Sequence, residues 1–312
     1  FDVMTDLSRG LREKLQDIAF IGGLDLEEIL VSSDGTRKIL LKTWDNHRIE
    51  TVVMPMGERV TQCVSSQVGC KIGCDFCLTA RMKVRRDLSA SEIVDQVLWA
   101  VHVLGQPEAE DMPRDRVNNL VYMGMGEPLD NYDSVISSIR ILMDDTGQNF
   151  AGRRITVSTS GIASKLPQLG EDVPVNLALS LNASNDVTRN RIIPINRKWS
   201  IDSLIESLEH FPLPARRRIT VEYVLLDDVN DSQDDARELI RRLRHIKERI
   251  KLNLIPFNPW EGAPYGRPKA ERVDAFGDVL RRAHFHVTVR YSKGDDIGAA
   301  CGQLDGALAN EP

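Results

Sequence analysis

Residues 63–77 read Cys63-Val-Ser-Ser-Gln-Val-Gly-Cys70-Lys-Ile-Gly-Cys74-Asp-Phe-Cys77. Four of the chain's five cysteines lie in this stretch. Cys70, Cys74 and Cys77 are spaced C-x3-C-x2-C, and Cys63 stands seven residues upstream of Cys70. The fifth cysteine, Cys301, lies near the far end in Asp295-Asp-Ile-Gly-Ala-Ala-Cys301-Gly-Gln-Leu304. The chain has 312 residues, too many to need disulfide staples, and its cysteine count is odd. That combination points to reduced thiols used for metal binding or catalysis.

The pattern downstream of this stretch sets the fold. A strand-like segment is followed by a helix-like one six times. The pairs are 62–66 with 90–104, 119–125 with 132–143, 154–159 with 162–169, 175–181 with 201–210, 219–226 with 233–246, and 252–257 with 270–283. A last strand-like run, 287–291, leads into the Cys301 loop. The strands are nearly continuous apolar runs, as expected when both faces are covered. Alternating βα units predict a parallel sheet with right-handed crossovers. Six units are too few to close an eight-stranded barrel. The expected fold is therefore α/β: a partial, open, six-stranded TIM-like barrel with its site at the C-terminal strand ends.

Upstream, Leu7, Leu11, Leu15 and Ile18 recur at helical spacing, and strands are expected over 24–33, 37–44 and 48–54. The expected organisation is a small N-terminal accessory unit over 1–57, a barrel with the Cys301 loop over 58–304, and a tail over 305–312. The chain starts at Phe1 rather than Met, so further residues are expected upstream.

The formal net charge is −6, so whole-molecule charge does not announce a nucleic-acid binder. Local clusters occur at Lys71, Arg81, Lys83, Arg85 and Arg86, at Arg153 and Arg154, at Arg189 and Arg191, at Arg197 and Lys198, and at Arg216–Arg218. Each taken alone reads as solvated surface. Converging on one face, they would bind phosphates. No apolar run approaches the ~20 residues that span a bilayer. Residues 107–116 read as a polar surface loop. Residues 262–268, rich in Gly and Pro, follow the last barrel strand on the expected active face.

The triplet of cysteines has two bland readings, a zinc knuckle or buried free thiols. Zinc takes four ligands, commonly as two close pairs. Here there is a single triplet and none of the six histidines falls in the loop. Iron–sulfur cubanes normally take four thiolates. Three would leave one iron without a protein ligand and open to a substrate.

With these residues the chain resembles the radical S-adenosyl-L-methionine (SAM) enzymes, and within them the RlmN/Cfr family of RNA adenosine methyltransferases. The resemblance runs from about residue 50 to 304. It rests on Cys63-Val-Ser-Ser-Gln-Val-Gly-Cys70, Gly124-Met-Gly-Glu-Pro-Leu129, Ser158-Thr-Ser-Gly161, Asn253-Leu-Ile-Pro-Phe-Asn-Pro259 and the motif around Cys301 from Asp295 to Leu304. It implies a 4Fe-4S cluster on Cys70, Cys74 and Cys77, and SAM bound by Gly126, Glu127, Ser158, Ser180, Leu181, Asn182 and Asn258. Relatives usually carry His then Ala-Pro where this chain has Asn182-Ala-Ser184, which puts any role needing imidazole there in doubt.

The resemblance also implies a division of labour among catalytic residues. Adenine C2 is an electron-poor carbon, so polar transfer from the electrophilic SAM methyl is a poor reaction and a radical route is needed. Cys301 would accept a methyl from one SAM. A second SAM would supply the radical that activates that methyl for addition to adenine. Cys63 would release the product by forming a transient disulfide bond with Cys301. Glu50 would take the C2 proton. The implied partners are 23S rRNA, with tRNA as a second substrate, and an electron donor such as flavodoxin. A cytoplasmic monomer with no membrane attachment is expected. Alternatives remain: a C8-methylating relative, a paralogue with another RNA substrate, and a non-enzymatic RNA-binding protein with a structural metal.

Overall fold

The computed structural model describes residues 1–19, 22–83, 86–106, 112–113, 116–214 and 216–307. Helix α1 (Arg9–Ile18) is capped by Ser8, whose side chain accepts from the Leu11 N–H. Strands β1 (Leu24–Val31), β2 (Arg37–Thr43), β3 (Arg48–Met56) and β4 (Arg59–Cys63) form an antiparallel meander. A two-stranded ribbon, β5 (Gln67–Val68) with β6 (Arg86–Asp87), flanks the cysteine loop. Helix α2 (Ala90–Leu104) follows, started by a capping box of Ser89 and Glu92.

The remaining elements alternate: β7 (Asn119–Tyr122), α3 (Tyr132–Met143), β8 (Ile155–Thr159), α4 (Leu166–Asp172), β9 (Asn176–Ser180), α5 (Asp186–Ile192), α6 (Ile201–His210), β10 (Ile219–Leu225), α7 (Gln233–Leu243), β11 (Ile250–Pro256), α8 (Ala270–Arg282) and β12 (Val287–Val289). Ten strands form one sheet in the order β1-β2-β3-β4-β7-β8-β9-β10-β11-β12. Every pairing from β4 onward is parallel. The sheet keeps two edges, so the barrel is open as expected. The six βα units stand, with β12 added at the far edge. The three N-terminal strands extend the same sheet rather than forming one of their own.

Some boundaries differ for local reasons. The first parallel strand ends at Cys63 rather than at residue 66. Beyond it, the N–H groups of Val64 and Ser66 bond to the carbonyls of Val121 and Met125 as the chain bends. Residues 163–165 make a single 3₁₀ turn, and α4 starts only at Leu166 with Pro167 in its first turn. Helix α7 stops at Leu243 and continues as 3₁₀ over Arg244–Arg249. Much of the expected polar loop over 107–116 lies outside the described residues. The core fills both sides of the sheet, with Ile39, Ile49, Leu120, Leu177, Leu252 and Leu254 fully buried on its strands. Among the described residues, no helix is long and apolar enough to cross a membrane.

Candidate active site

The C-terminal ends of the parallel strands enclose a cavity. Cys70, Cys74 and Cys77 line one wall, and Gly126, Ser158 and Asn258 face them. The cysteine loop is tied down at several points. Asp75 N–H bonds to the Ile192 carbonyl (3.0 Å), Trp260 Nε1 donates to the Phe76 carbonyl (3.1 Å), and Tyr265 Oη donates to Asp75 (2.8 Å). Tyr265 lies in the Gly/Pro-rich loop after β11, so that loop does pack on the active face.

Burial pushes the Cys70 thiol up to about 12, and the neighbouring Cys77, Glu127 and Asp130 add to it. Cys74 and Cys77 are raised in the same direction, again mainly by burial. The three sulfurs lie near enough to perturb one another. They stand looser than the ligands of a single bound ion, and among the described residues no three Cys, His, Asp or Glu side chains are grouped that tightly. A thiol gives up its proton to bind a metal, and a bound cation would offset the burial that raises these three. Three thiols lining one cavity fit a 4Fe-4S cluster, and three ligands would leave one of its irons without a protein ligand.

The expected SAM residues divide by position. Gly126 has φ +100°, and a Cβ there would lie 2.6 Å from the Gln67 Cβ, so only glycine fits this approach. Glu127 is 2% exposed, and its carboxylate accepts from Ser160 N–H (2.7 Å) and Leu129 N–H (3.1 Å). Burial raises its pKa while these hydrogen bonds oppose the rise. It therefore pins the loop after β7 to the end of β8. Ser158, Ser180, Asn182 and Asn258 line the cavity. Leu181 does not; it is buried and its backbone carries the contacts. Asn182 sits in the left-handed region (φ 57°) with its Oδ1 accepting from Val224 N–H at 2.8 Å. An asparagine tolerates that backbone.

Cys63, at the end of β4, and Cys301 line a second, smaller recess with Met54, Met123 and Arg290. Cys301 also lines the larger cavity, so it stands between the two. Burial pushes the Cys63 thiol up to about 12, with Cys301 adding to the rise and Arg290 opposing it. All five cysteines are free thiols, so the disulfide bond implied by the resemblance is not a feature of this structure.

The Cys301 loop is clamped from three sides. Leu78 N–H bonds to the Gly302 carbonyl (2.8 Å) and Thr79 Oγ1 to the Leu304 carbonyl (2.6 Å), joining it to the cysteine loop. Asn258 Nδ2 donates to the Cys301 carbonyl (3.2 Å). From the N-terminal strands, Ser32 Oγ (2.5 Å) and Ser33 N–H (3.0 Å) bond to Asp296.

Glu50, on β3, lines neither cavity. It is fully buried, paired with Lys38 Nζ at 3.0 Å, and accepts the Asp305 N–H at 3.2 Å. Asp305 follows Leu304, which walls the smaller recess. Burial lifts the Glu50 carboxyl to about 7, against the pull of Lys38. Lys38 escaped sequence reasoning because nothing local marks a strand lysine as buried.

The basic clusters are placed in different ways. Arg81 pairs with Asp75 (3.1 Å), and Arg191 acts on Tyr265, which bonds to the same aspartate. Arg189 is fully buried, bonding to the carbonyls of Leu181 (2.8 Å) and Ser160 (2.6 Å) and to Asn196 (2.8 Å). Burial brings its pKa down to about 10. It stitches strand ends together rather than meeting solvent. Arg86 is held by Glu92 (2.8 Å) and Asp45 (2.9 Å), and Arg85 lies outside the described residues. Arg216, Arg217 and Arg218 line an open concavity with Thr156, Thr220 and Lys251, at the N-terminal ends of the strands. They face the end of the barrel opposite Cys301.

The class these features define is the radical SAM superfamily, whose family model matches residues 64–243. The dual-specificity RNA methyltransferase RlmN of Geobacter sulfurreducens is 48% identical over 308 residues, spanning 99% of this chain and 82% of its own length. Its counterpart from Syntrophus aciditrophicus is 45% identical over 311 residues, spanning 100% and 87%. The crystal structure of a radical SAM methyltransferase from Sphaerobacter thermophilus matches with a TM-score of 0.91 at 44% identity, over 98% of this chain and 88% of that one. The chain belongs to the RlmN family.

Proposed function

We propose that this protein is a radical SAM methyltransferase. In this reading it adds a methyl group to C2 of an adenosine in 23S rRNA, with tRNA as a second substrate, through an S-methylcysteine at Cys301. The observation that carries the reading is that Cys301 and Cys63, 238 positions apart, share one recess beside the cavity that holds the three remaining thiols.

Cys70, Cys74 and Cys77 would hold a 4Fe-4S cluster, and Gly126, Glu127, Ser158, Ser180, Asn182 and Asn258 would bind SAM in the same cavity. When bound, that pair supplies the one-electron chemistry that no side chain here can perform. The chain's own part is position, dryness and proton handling. Cys301, which lines both cavities, would be the sulfur that accepts the SAM methyl. Cys63 lines the same recess. Its thiolate would attack that sulfur, forming an S–S bond as the S–C bond to the RNA adduct breaks with its electron pair on the product. An external reductant would restore both thiols. Glu50, the expected acceptor of the ring proton, has a carboxyl raised to about 7 but lies behind Leu304 and Asp305, so it would act only once that segment moves aside. The adenine must be unstacked to enter, which favours single-stranded or loop RNA. Cytoplasmic location, a monomeric state and a flavodoxin-type donor belong to this same reading; the five free thiols support a reducing compartment.

The test is in vitro methylation of ribosomal RNA by wild type, Cys301→Ala and Cys63→Ala. Cys301→Ala is expected to give no methylation, and Cys63→Ala a covalent protein–RNA adduct. Methylation by Cys301→Ala at the wild-type rate would overturn the mechanism. Exclusive formation of 8-methyladenosine by wild type would overturn the C2 assignment.

A further inference from the structure

Arg290 follows β12 and continues its pairing, with its N–H on the Leu254 carbonyl at 2.8 Å. Its guanidinium reaches into the wall between the two cavities. Nη2 lies 2.6 Å from the Cys301 sulfur, and Nη1 lies 3.8 Å from both the Met123 sulfur and Glu222 Oε1. Glu222, in the middle of β10, is 5% exposed. Its carboxylate also accepts from Ser158 Oγ (3.1 Å) and Asn253 Nδ2 (3.4 Å). Side chains of β8 and β10 and of the residue after β12 thus form one chain of polar contacts, from the SAM wall at Ser158 to the sulfur of Cys301.

We propose that Arg290, held in place by Glu222, is a positioning residue that orients Cys301 and stabilises its sulfur as the anion during methyl transfer. This deepens the proposed function and rests on Cys301 being the methyl acceptor. In the step concerned, a thiolate lone pair forms the new S–CH₃ bond as the methyl–sulfonium bond breaks. That bond's electron pair stays on the SAM sulfur, and S-adenosylhomocysteine leaves. The thiol proton has already gone to solvent and Arg290 remains protonated, so neither proton nor electron is needed in the transfer. A planar, always-charged guanidinium suits a partly buried sulfur anion better than a hydrated ammonium. Charge near a thiol is also the usual control on its nucleophilicity. Glu222 sets the balance: it fixes the guanidinium from behind without touching the sulfur. The surrounding groups agree with this arrangement. Cys63 and Glu222 are the ionisable side chains that, with Cys301, shape the charge state of Arg290 and raise it.

The experiment uses the whole reconstituted protein and two readouts. The first is the rate of Cys301 alkylation by iodoacetamide across pH, followed by peptide mass spectrometry. The second is transfer of a labelled SAM methyl to Cys301. Arg290→Gln is expected to slow both at neutral pH by about ten- to a hundredfold and to move the alkylation profile to higher pH. Arg290→Lys is expected to recover part of the rate. It also carries the test if the Gln variant does not fold: alkylation no faster than in the unfolded chain would overturn the proposal. Wild-type rates and an unmoved profile in Arg290→Gln would overturn it too. If alkylation depends on Arg290 but wild-type Cys301 never takes the labelled methyl, the methyl-acceptor reading fails instead. Equal methyl transfer in wild type and Arg290→Gln leaves that reading standing and removes the role of Arg290.

Discussion

Glu50 is a carboxyl whose surroundings act in opposite directions. Removal from water raises its pKa, and Lys38 at 3.0 Å lowers it, with the result near 7 against an ordinary 4.5. Between those two values the folded protein holds a proton that the unfolded chain has released. Stability therefore falls as pH rises through this window on account of Glu50. Replacing Glu50 by Gln removes that dependence. Denaturant melts from pH 4.5 to 7.5 should show the difference between the proteins shifting in the variant's favour by roughly 2–3 kcal/mol. Parallel curves would contradict it. Arg189 makes a second case. As one of several arginines it reads in sequence as solvated surface, because burial of a cation depends on carbonyls brought from the ends of β8 and β9. Arg189→Ala leaves the Leu181, Ser160 and Ser180 carbonyls without their donor. A loss of about 2–4 kcal/mol is expected by urea denaturation, and an unchanged midpoint would contradict it.

Three loops act together at the level of elements: the cysteine loop, the loop after β7 and the Cys301 loop. Two of their properties are legible in the sequence, the spacing of the thiols and the glycine at position 126. Spacing and backbone freedom are local, so a sequence can display them. The clamps on the Cys301 loop are not legible, since Asp296 meets Ser32 across 264 positions of chain. Nor is the Ser158–Glu222–Arg290 chain, whose members belong to or follow alternate strands of the sheet, β8, β10 and β12, far apart in sequence. Gly126→Ala tests the loop after β7. A Cβ 2.6 Å from Gln67, on a backbone at φ +100°, forces the loop to move. The expected cost is about 1–3 kcal/mol of stability together with weakened SAM binding, read by thermal melting and equilibrium dialysis. Wild-type SAM affinity would show that the loop does not touch the ligand.

On the scale of the molecule, the open sheet separates two ends. The C-terminal ends of the strands carry every residue expected for chemistry except Glu50, which lies beneath the smaller recess. The N-terminal ends carry Arg216–Arg218 and Lys251 around an open concavity. The alternation of apolar runs is enough to predict this barrel and its active end. It does not show that the N-terminal strands join the same sheet, because pairing of β3 with β4 looks the same in sequence as a hairpin beside the barrel. If RNA extends to the far end, replacing Arg216, Arg217 and Arg218 by Gln should weaken its binding and flatten the salt dependence by about three phosphate contacts. Transfer of a SAM methyl to Cys301, assayed without RNA in the proposed mechanism, should be unchanged. An RNA affinity and salt slope equal to wild type would remove that surface from the reading.

The central claim is that five thiols form two separate groups. Iron content after anaerobic reconstitution, measured across the five single Cys→Ala variants, tests it most directly. Cys63→Ala and Cys301→Ala should each keep about four irons per chain, and Cys70→Ala, Cys74→Ala and Cys77→Ala should each lose the cluster. Loss of iron on replacing Cys63 or Cys301, or its retention on replacing one of the other three, would contradict the division.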